Sequence, residues 1–85
     1  MAWHWEFTVK SKAQFIKLES TTKKRILTKL DFWTSSGYPL QFSEHLTNFD
    51  AGQYRFRVGD YRIIFDVEDD TIIVIALGHR RDIYK

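Results

Sequence analysis

The stretch Gln53-Tyr54-Arg55-Phe56-Arg57-Val58-Gly59-Asp60-Tyr61-Arg62-Ile63-Ile64-Phe65 decides the fold of this chain. Tyr54, Phe56 and Val58 alternate with Arg55 and Arg57, the period of a half-buried strand. Gly59-Asp60 is a hairpin signal, because a two-residue loop needs the positive φ that glycine adopts freely. Such a loop pairs Val58 with Tyr61 and sets Arg57 directly opposite Arg62. One face then carries Tyr54, Phe56, Val58, Tyr61, Ile63 and Phe65; the other carries Arg55, Arg57 and Arg62. Like charges across a ladder cost roughly 0.2–1 kcal/mol. An anionic ligand reverses that cost, and the planar arginine fork suits phosphate oxygens.

Downstream, Asp69-Asp70 reads as a second tight turn, and Thr71 to Leu77 is apolar throughout, as suits a central strand. This second hairpin sets Arg62 opposite Leu77. Gly78-His79-Arg80 then emerges beside Arg57 and Arg62, bringing a histidine and a fourth arginine to the same place. Arg81 and Tyr84 follow in a polar tail, with Tyr84 within reach if the tail folds back over the sheet.

Upstream, Trp3 to Lys10 alternates apolar and polar residues and predicts a strand. Ser11, with Gln14 three residues on, predicts a capped helix whose core residues are Phe15 and Leu18. Thr21 or Thr22 caps a second helix, in which Ile26, Leu27, Leu30 and Trp33 share one face. The two helices read as an antiparallel pair. Ser35-Ser36-Gly37 and Tyr38-Pro39 end the helical part. Leu40 to Gly52 is irregular, with at most a turn of helix over Ser43 to Phe49. The order is β-α-α-β-β-β. The expected class is α+β, an antiparallel sheet with two N-terminal helices on one face.

Bulk properties agree. The 85 residues suit one domain, 1–85, and 44% hydrophobic with 16% aromatic residues is a globular composition. Without cysteine there is neither a disulfide framework nor a thiolate metal site, which suits the cytoplasm. No signal peptide or membrane-spanning run is visible, and no Asp/Glu/His set has metal-ligand spacing. A formal charge of +2 does not by itself prove an anionic partner.

Tyr54 to Tyr84 resembles the core of the RelE/ParE toxin superfamily. The resemblance rests on the Gln53–Phe65 stretch and on Ile75-Ala76-Leu77-Gly78-His79-Arg80-Arg81-Asp82-Ile83-Tyr84. It implies a four-stranded antiparallel sheet with two N-terminal helices and, for the RelE branch, cleavage of messenger RNA on the ribosome. It also implies a cognate antitoxin that blocks the basic face. The family's functional positions fall on Arg55, Arg57, Arg62, Arg80 and Tyr84. Prominent RelE members carry lysines where this chain has Arg55 and Arg57, so neither makes a comfortable general base. His79 stands where some members have another basic residue, and an extra C-terminal helix of some relatives is missing after Lys85.

The implied chemistry is attack of a ribose 2′-hydroxyl on the adjacent phosphate, without metal or other cofactor. Arg57, Arg62 and Arg80 are assigned to phosphate and transition-state charge, and Arg55 and Arg81 to neighbouring phosphates. His79 is the candidate acid or base, since imidazole titrates near neutrality. Tyr84 stacks on a base or orients the 2′-hydroxyl. Competing readings are a ParE-like DNA gyrase inhibitor and an inactive antitoxin-binding family member. A plain RNA-binding domain ranks below them, for want of an aromatic-plus-glycine motif.

Overall fold

A computed structural model describes residues 2–47 and 52–83. Five strands form one sheet: β1 (His4–Phe7), β2 (Glu44–His45), β3 (Tyr54–Val58), β4 (Tyr61–Glu68) and β5 (Thr71–His79), in spatial order β1-β5-β4-β3-β2. The expected meander β3-β4-β5 is antiparallel, whereas β1 pairs with β5 in parallel. The short β2 adds to the free edge of β3 through Glu44 opposite Arg55 and His45 opposite Tyr54. This strand stands where a turn of helix was expected over Ser43 to Phe49, and a 3₁₀ turn, Pro39–Phe42, precedes it. The remainder of that expected turn, from residue 48 on, lies outside the described residues.

Both turns behave as their residues require. Gly59 has φ +58°, while Asp69 and Asp70 both adopt the left-handed conformation that acidic and amide side chains tolerate.

Helix α1 spans Val9–Ile16 and α2 spans Ser20–Ser35. α1 starts two residues before the expected Ser11. Thr8 is its cap, and Ser11 is the third helical residue of a reciprocal capping box. Strand β1 therefore stops at Phe7, and the alternation through Lys10 is not strand throughout. Thr8 Oγ1 accepts from Ser11 N at 3.1 Å, and Ser11 Oγ accepts from Thr8 N at 3.0 Å. In α2 the cap position is Glu19, without a side-chain cap bond, not Thr21 or Thr22. The helices dock mainly on the sheet and not as a pair: α1 lies against β5, and α2 contacts β1 and β3.

The core fills the helix side of the sheet. Ile26, Leu30 and Trp33 of α2 meet Phe56, Val58, Ile63, Phe65, Ile72, Val74 and Leu77. Trp33 stacks on Phe56 with ring centroids 3.9 Å apart, and Phe56 on Phe65 at 4.3 Å. Trp3, Trp5, Phe7, Phe15 and Leu18 pack around this centre. Trp5 Nε1 donates to Asp31 Oδ1 at 2.9 Å, tying β1 to α2. Where β1 ends, α1 takes over the exposed edge of β5: Ser11 Oγ donates to Val74 O and Gln14 Oε1 accepts from Leu77 N. An unpaired strand edge is thereby covered.

The pairing of β4 with β5 departs from the sequence expectation. Glu68 opposes Thr71 and Phe65 opposes Val74, but Ile64 opposes Ala76. Ile75 is the extra residue of a β-bulge. Beyond it Arg62 opposes Gly78, not Leu77, and Tyr61 opposes His79. The uniformly apolar run Thr71–Leu77 left no trace of the bulge. Among the described residues no helix is long and apolar enough to cross a membrane.

Candidate phosphate-binding face

The side of the sheet turned away from the helices carries the arginines. Arg57 lies directly opposite Arg62, as the hairpin reading required, and Arg55 stands on the same face opposite Ile64. Part of this face is not open. Ile64 is fully buried there, and Gly52 passes so close that a Cβ at position 52 would stand 2.7 Å from Ile64 Cγ2. Gln53 N donates to Asp66 Oδ1 at 2.8 Å and holds this loop against β4.

The sequence reading missed Glu44. Being opposite Arg55 on β2, it projects onto the arginine face and holds two of the arginines. Arg55 Nη2 lies 2.8 Å from Glu44 Oε2. Arg57 grips the same carboxylate side-on, Nε to Oε1 at 2.7 Å and Nη2 to Oε2 at 3.3 Å. The hydrogen bond from Arg55 holds the Glu44 carboxyl below its usual range; it outweighs the opposing effect of burial, and the charges of Arg55, Arg57 and Arg62 add smaller contributions in the same direction. No signal in Leu40 to Gly52 announced this residue, because a strand two residues long has no periodicity to read.

At the other end of the face, charges converge on the Gly59-Asp60 turn. Arg62 Nη1 donates to Gly59 O at 2.8 Å and to Tyr61 O at 3.0 Å. Arg80 N donates to Asp60 O at 2.7 Å, and Arg80 Nε stands 3.7 Å from Asp60 Oδ1. The backbone bond places Arg80 beside the first hairpin, as expected. Arg25 of α2, which the sequence reading did not single out, approaches the same turn: a Cβ at Gly59 would lie 3.2 Å from its Nη2. Its helical position gave no hint of a site, since only the docking of α2 brings it there.

His79 does not join the arginines. The bulge at Ile75 sets it opposite Tyr61. Cross-strand partners share a face, so its side chain stands on the helix side. Its ring meets Tyr61 edge-on at 5.5 Å between centroids, and its Nδ1 accepts from Arg81 N at 3.1 Å. Gly78 occupies the place opposite Arg62. The returning tail passes here, with Ile83 Cδ1 at an ordinary contact distance, 4.0 Å, from where a Cβ on Gly78 would stand. A turn closed by Asp82 N and Ile83 N on His79 O makes that return. Arg81 is exposed on this turn. Tyr84, the last expected site residue, lies outside the described residues.

Guanidinium forks of this kind suit oxyanions. Glu44 already demonstrates the side-on fork that a phosphate would use on Arg57.

Known proteins resemble this chain in sequence and in fold. Residues 5–84 match the family model described as the ParE toxin of type II toxin–antitoxin systems. Toxin RelG of Mycobacterium tuberculosis is 30% identical over 79 residues, covering 78% of this chain and 91% of that protein. The RelBE2 toxin–antitoxin complex from the same organism holds a similar fold, with TM-score 0.80 and 20% identity over 94% of this chain and all of that one. The RelB–RelE complex from Methanococcus jannaschii gives TM-score 0.72 and 26% identity over 92% of this chain and 93% of that one. On the match across residues 5–84, this chain belongs to the ParE toxin family of type II toxin–antitoxin systems, with the fold shared by RelE and ParE toxins.

Proposed function

We propose that this toxin is a metal-independent endoribonuclease that cleaves messenger RNA on the ribosome in the cytoplasm. The observation that carries the reading is the Arg57–Arg62 pair, directly opposed on the sheet, with Arg55 on the same face and Arg80 at the adjoining turn. Opposed cations gain a purpose when a polyanion runs between them. Cleavage proceeds by attack of a ribose 2′-oxygen on the adjacent phosphorus. The 2′-hydroxyl proton passes to a base, the 5′-oxygen leaves with a proton from an acid, and the products are a cyclic phosphate and a 5′-hydroxyl. Arg57, Arg62 and Arg80 neutralise the phosphorane. Arg55 and Arg81 hold flanking phosphates, and Tyr84 stacks on a base.

His79 is the proposed proton-transfer group. It lies one residue past Gly78, at the rim of the sheet. To serve there, its ring must leave Tyr61 and swing over the end of the strand. A cognate antitoxin is the proposed partner, because the two similar folds above were both solved as complexes with one.

A second reading is inhibition of DNA gyrase, favoured by the family model's being that of ParE. Expression in bacteria from a tight promoter, with messenger RNA 5′ ends mapped after induction, separates the two. New codon-phased cuts that Arg80→Ala abolishes support the ribonuclease. Growth arrest with intact messages and DNA damage signalling supports gyrase.

A further inference from the structure

We propose that Glu44 is an internal competitor for RNA: its carboxylate occupies the phosphate-binding fork of Arg57 and Arg55 and must be displaced before a backbone phosphate can bind. This rests on the ribonuclease reading and adds an affinity-setting residue to it.

Geometry carries the inference. A carboxylate and a phosphate each present two oxygens to a guanidinium fork. Glu44 fills that fork on Arg57 through both oxygens, and Oε2 also takes Arg55. The contact is poised to open, because the side chains of Glu44 and Arg57 remain 46% and 56% exposed, and water screens the pair. The strand can keep its place while the carboxylate leaves. His45, the other β2 residue, faces the opposite side, where its ring meets Tyr54 edge-on at 5.3 Å. The same contacts make Glu44 a poor proton acceptor, since both oxygens are engaged by cations that favour its charged form.

The test measures binding of a single-stranded RNA carrying 2′-O-methyl riboses, which cannot be cleaved. Glu44→Gln should bind about two- to fivefold tighter than wild type, the scale of a half-exposed ion pair removed from competition. Glu68→Gln makes the same charge change at the far end of the same face and should shift binding less than twofold. In an Arg57→Ala background the gain from Glu44→Gln should shrink to the share owed to Arg55, an outcome that a purely structural role would not produce. Thermal melts of each variant confirm folding.

The proposal is overturned if Glu44→Gln binds no tighter than Glu68→Gln. It is equally overturned if Glu44→Gln binds as wild type but loses cleavage, which would make Glu44 a proton-transfer group. In either case wild-type binding that Arg57→Ala abolishes leaves the ribonuclease reading standing. Absence of RNA binding by both wild type and Glu44→Gln overturns that reading together with the proposal.

Discussion

Ser11 Oγ donates a 2.6 Å hydrogen bond to the carbonyl of Val74, the residue immediately before the bulged Ile75. The hydroxyl is fully buried and also closes the capping box on Thr8. One side chain thus fixes the start of α1 and supports the point where β5 changes register. Ser11→Ala should cost about 1 kcal/mol: it removes one buried hydrogen bond to the Val74 carbonyl, which Thr8 N still engages at 3.1 Å, and one half of the capping box. Urea denaturation of the purified chain measures it, and an unchanged midpoint would remove Ser11 from this role.

The aromatic stack Trp33–Phe56–Phe65 joins α2 to the middle of the sheet. Phe56 has no exposed surface, so Phe56→Ala leaves a cavity that its neighbours cannot fill. The expected loss is about 3–5 kcal/mol. In a chain of this size that is a large share of total stability. Circular dichroism should show the variant mostly unfolded at 37 °C, where Phe56→Leu stays folded.

Glu44 makes stability depend on pH at the acid end. Its carboxyl titrates lower in the folded chain than its ordinary value of 4.5, chiefly because Arg55 donates to it. A depressed folded value means that the ionised form stabilises the fold. The contribution is therefore complete above pH 4.5 and fades as the pH falls through the folded value. Melting temperatures of wild type and Glu44→Gln should differ at pH 7 and converge toward pH 3. A gap that persists unchanged in acid would show that the pairs with Arg55 and Arg57 do not cause it.

Arg57→Ala, Arg62→Ala and Arg80→Ala should each lower cleavage by about 10²–10³-fold, the usual effect of removing a donor to a developing oxyanion. Surface changes of this kind shift stability by only about 0.5 kcal/mol, so Arg57→Ala should lower the melting temperature no more than Glu44→Gln does, far too little to explain the lost cleavage. Full cleavage by Arg80→Ala would sink the site assignment. His79 has a separate test. If it transfers the proton, His79→Gln flattens the pH–rate profile near neutrality. An unaltered profile would leave it as the partner of Tyr61.

The sequence by itself determined the parts that depend on neighbours along the chain. Strict alternation across Gly59-Asp60 specified the hairpin, the face that each residue takes, and Arg57 opposite Arg62. Helical spacing of Ile26, Leu30 and Trp33 specified the buried stripe of α2. Tertiary structure decided the rest. A uniformly apolar strand carries no mark of where a bulge falls, so its own residues could not place Gly78 against Arg62 and His79 against Tyr61. Glu44 meets Arg55 and Arg57 only because an edge strand of two residues forms against β3. Arg25 approaches Gly59 only once α2 has docked. Local periodicity reports which face a residue occupies. It says nothing of an inserted residue or of a distant segment that pairs across space, and those two features set the charge and shape of this face.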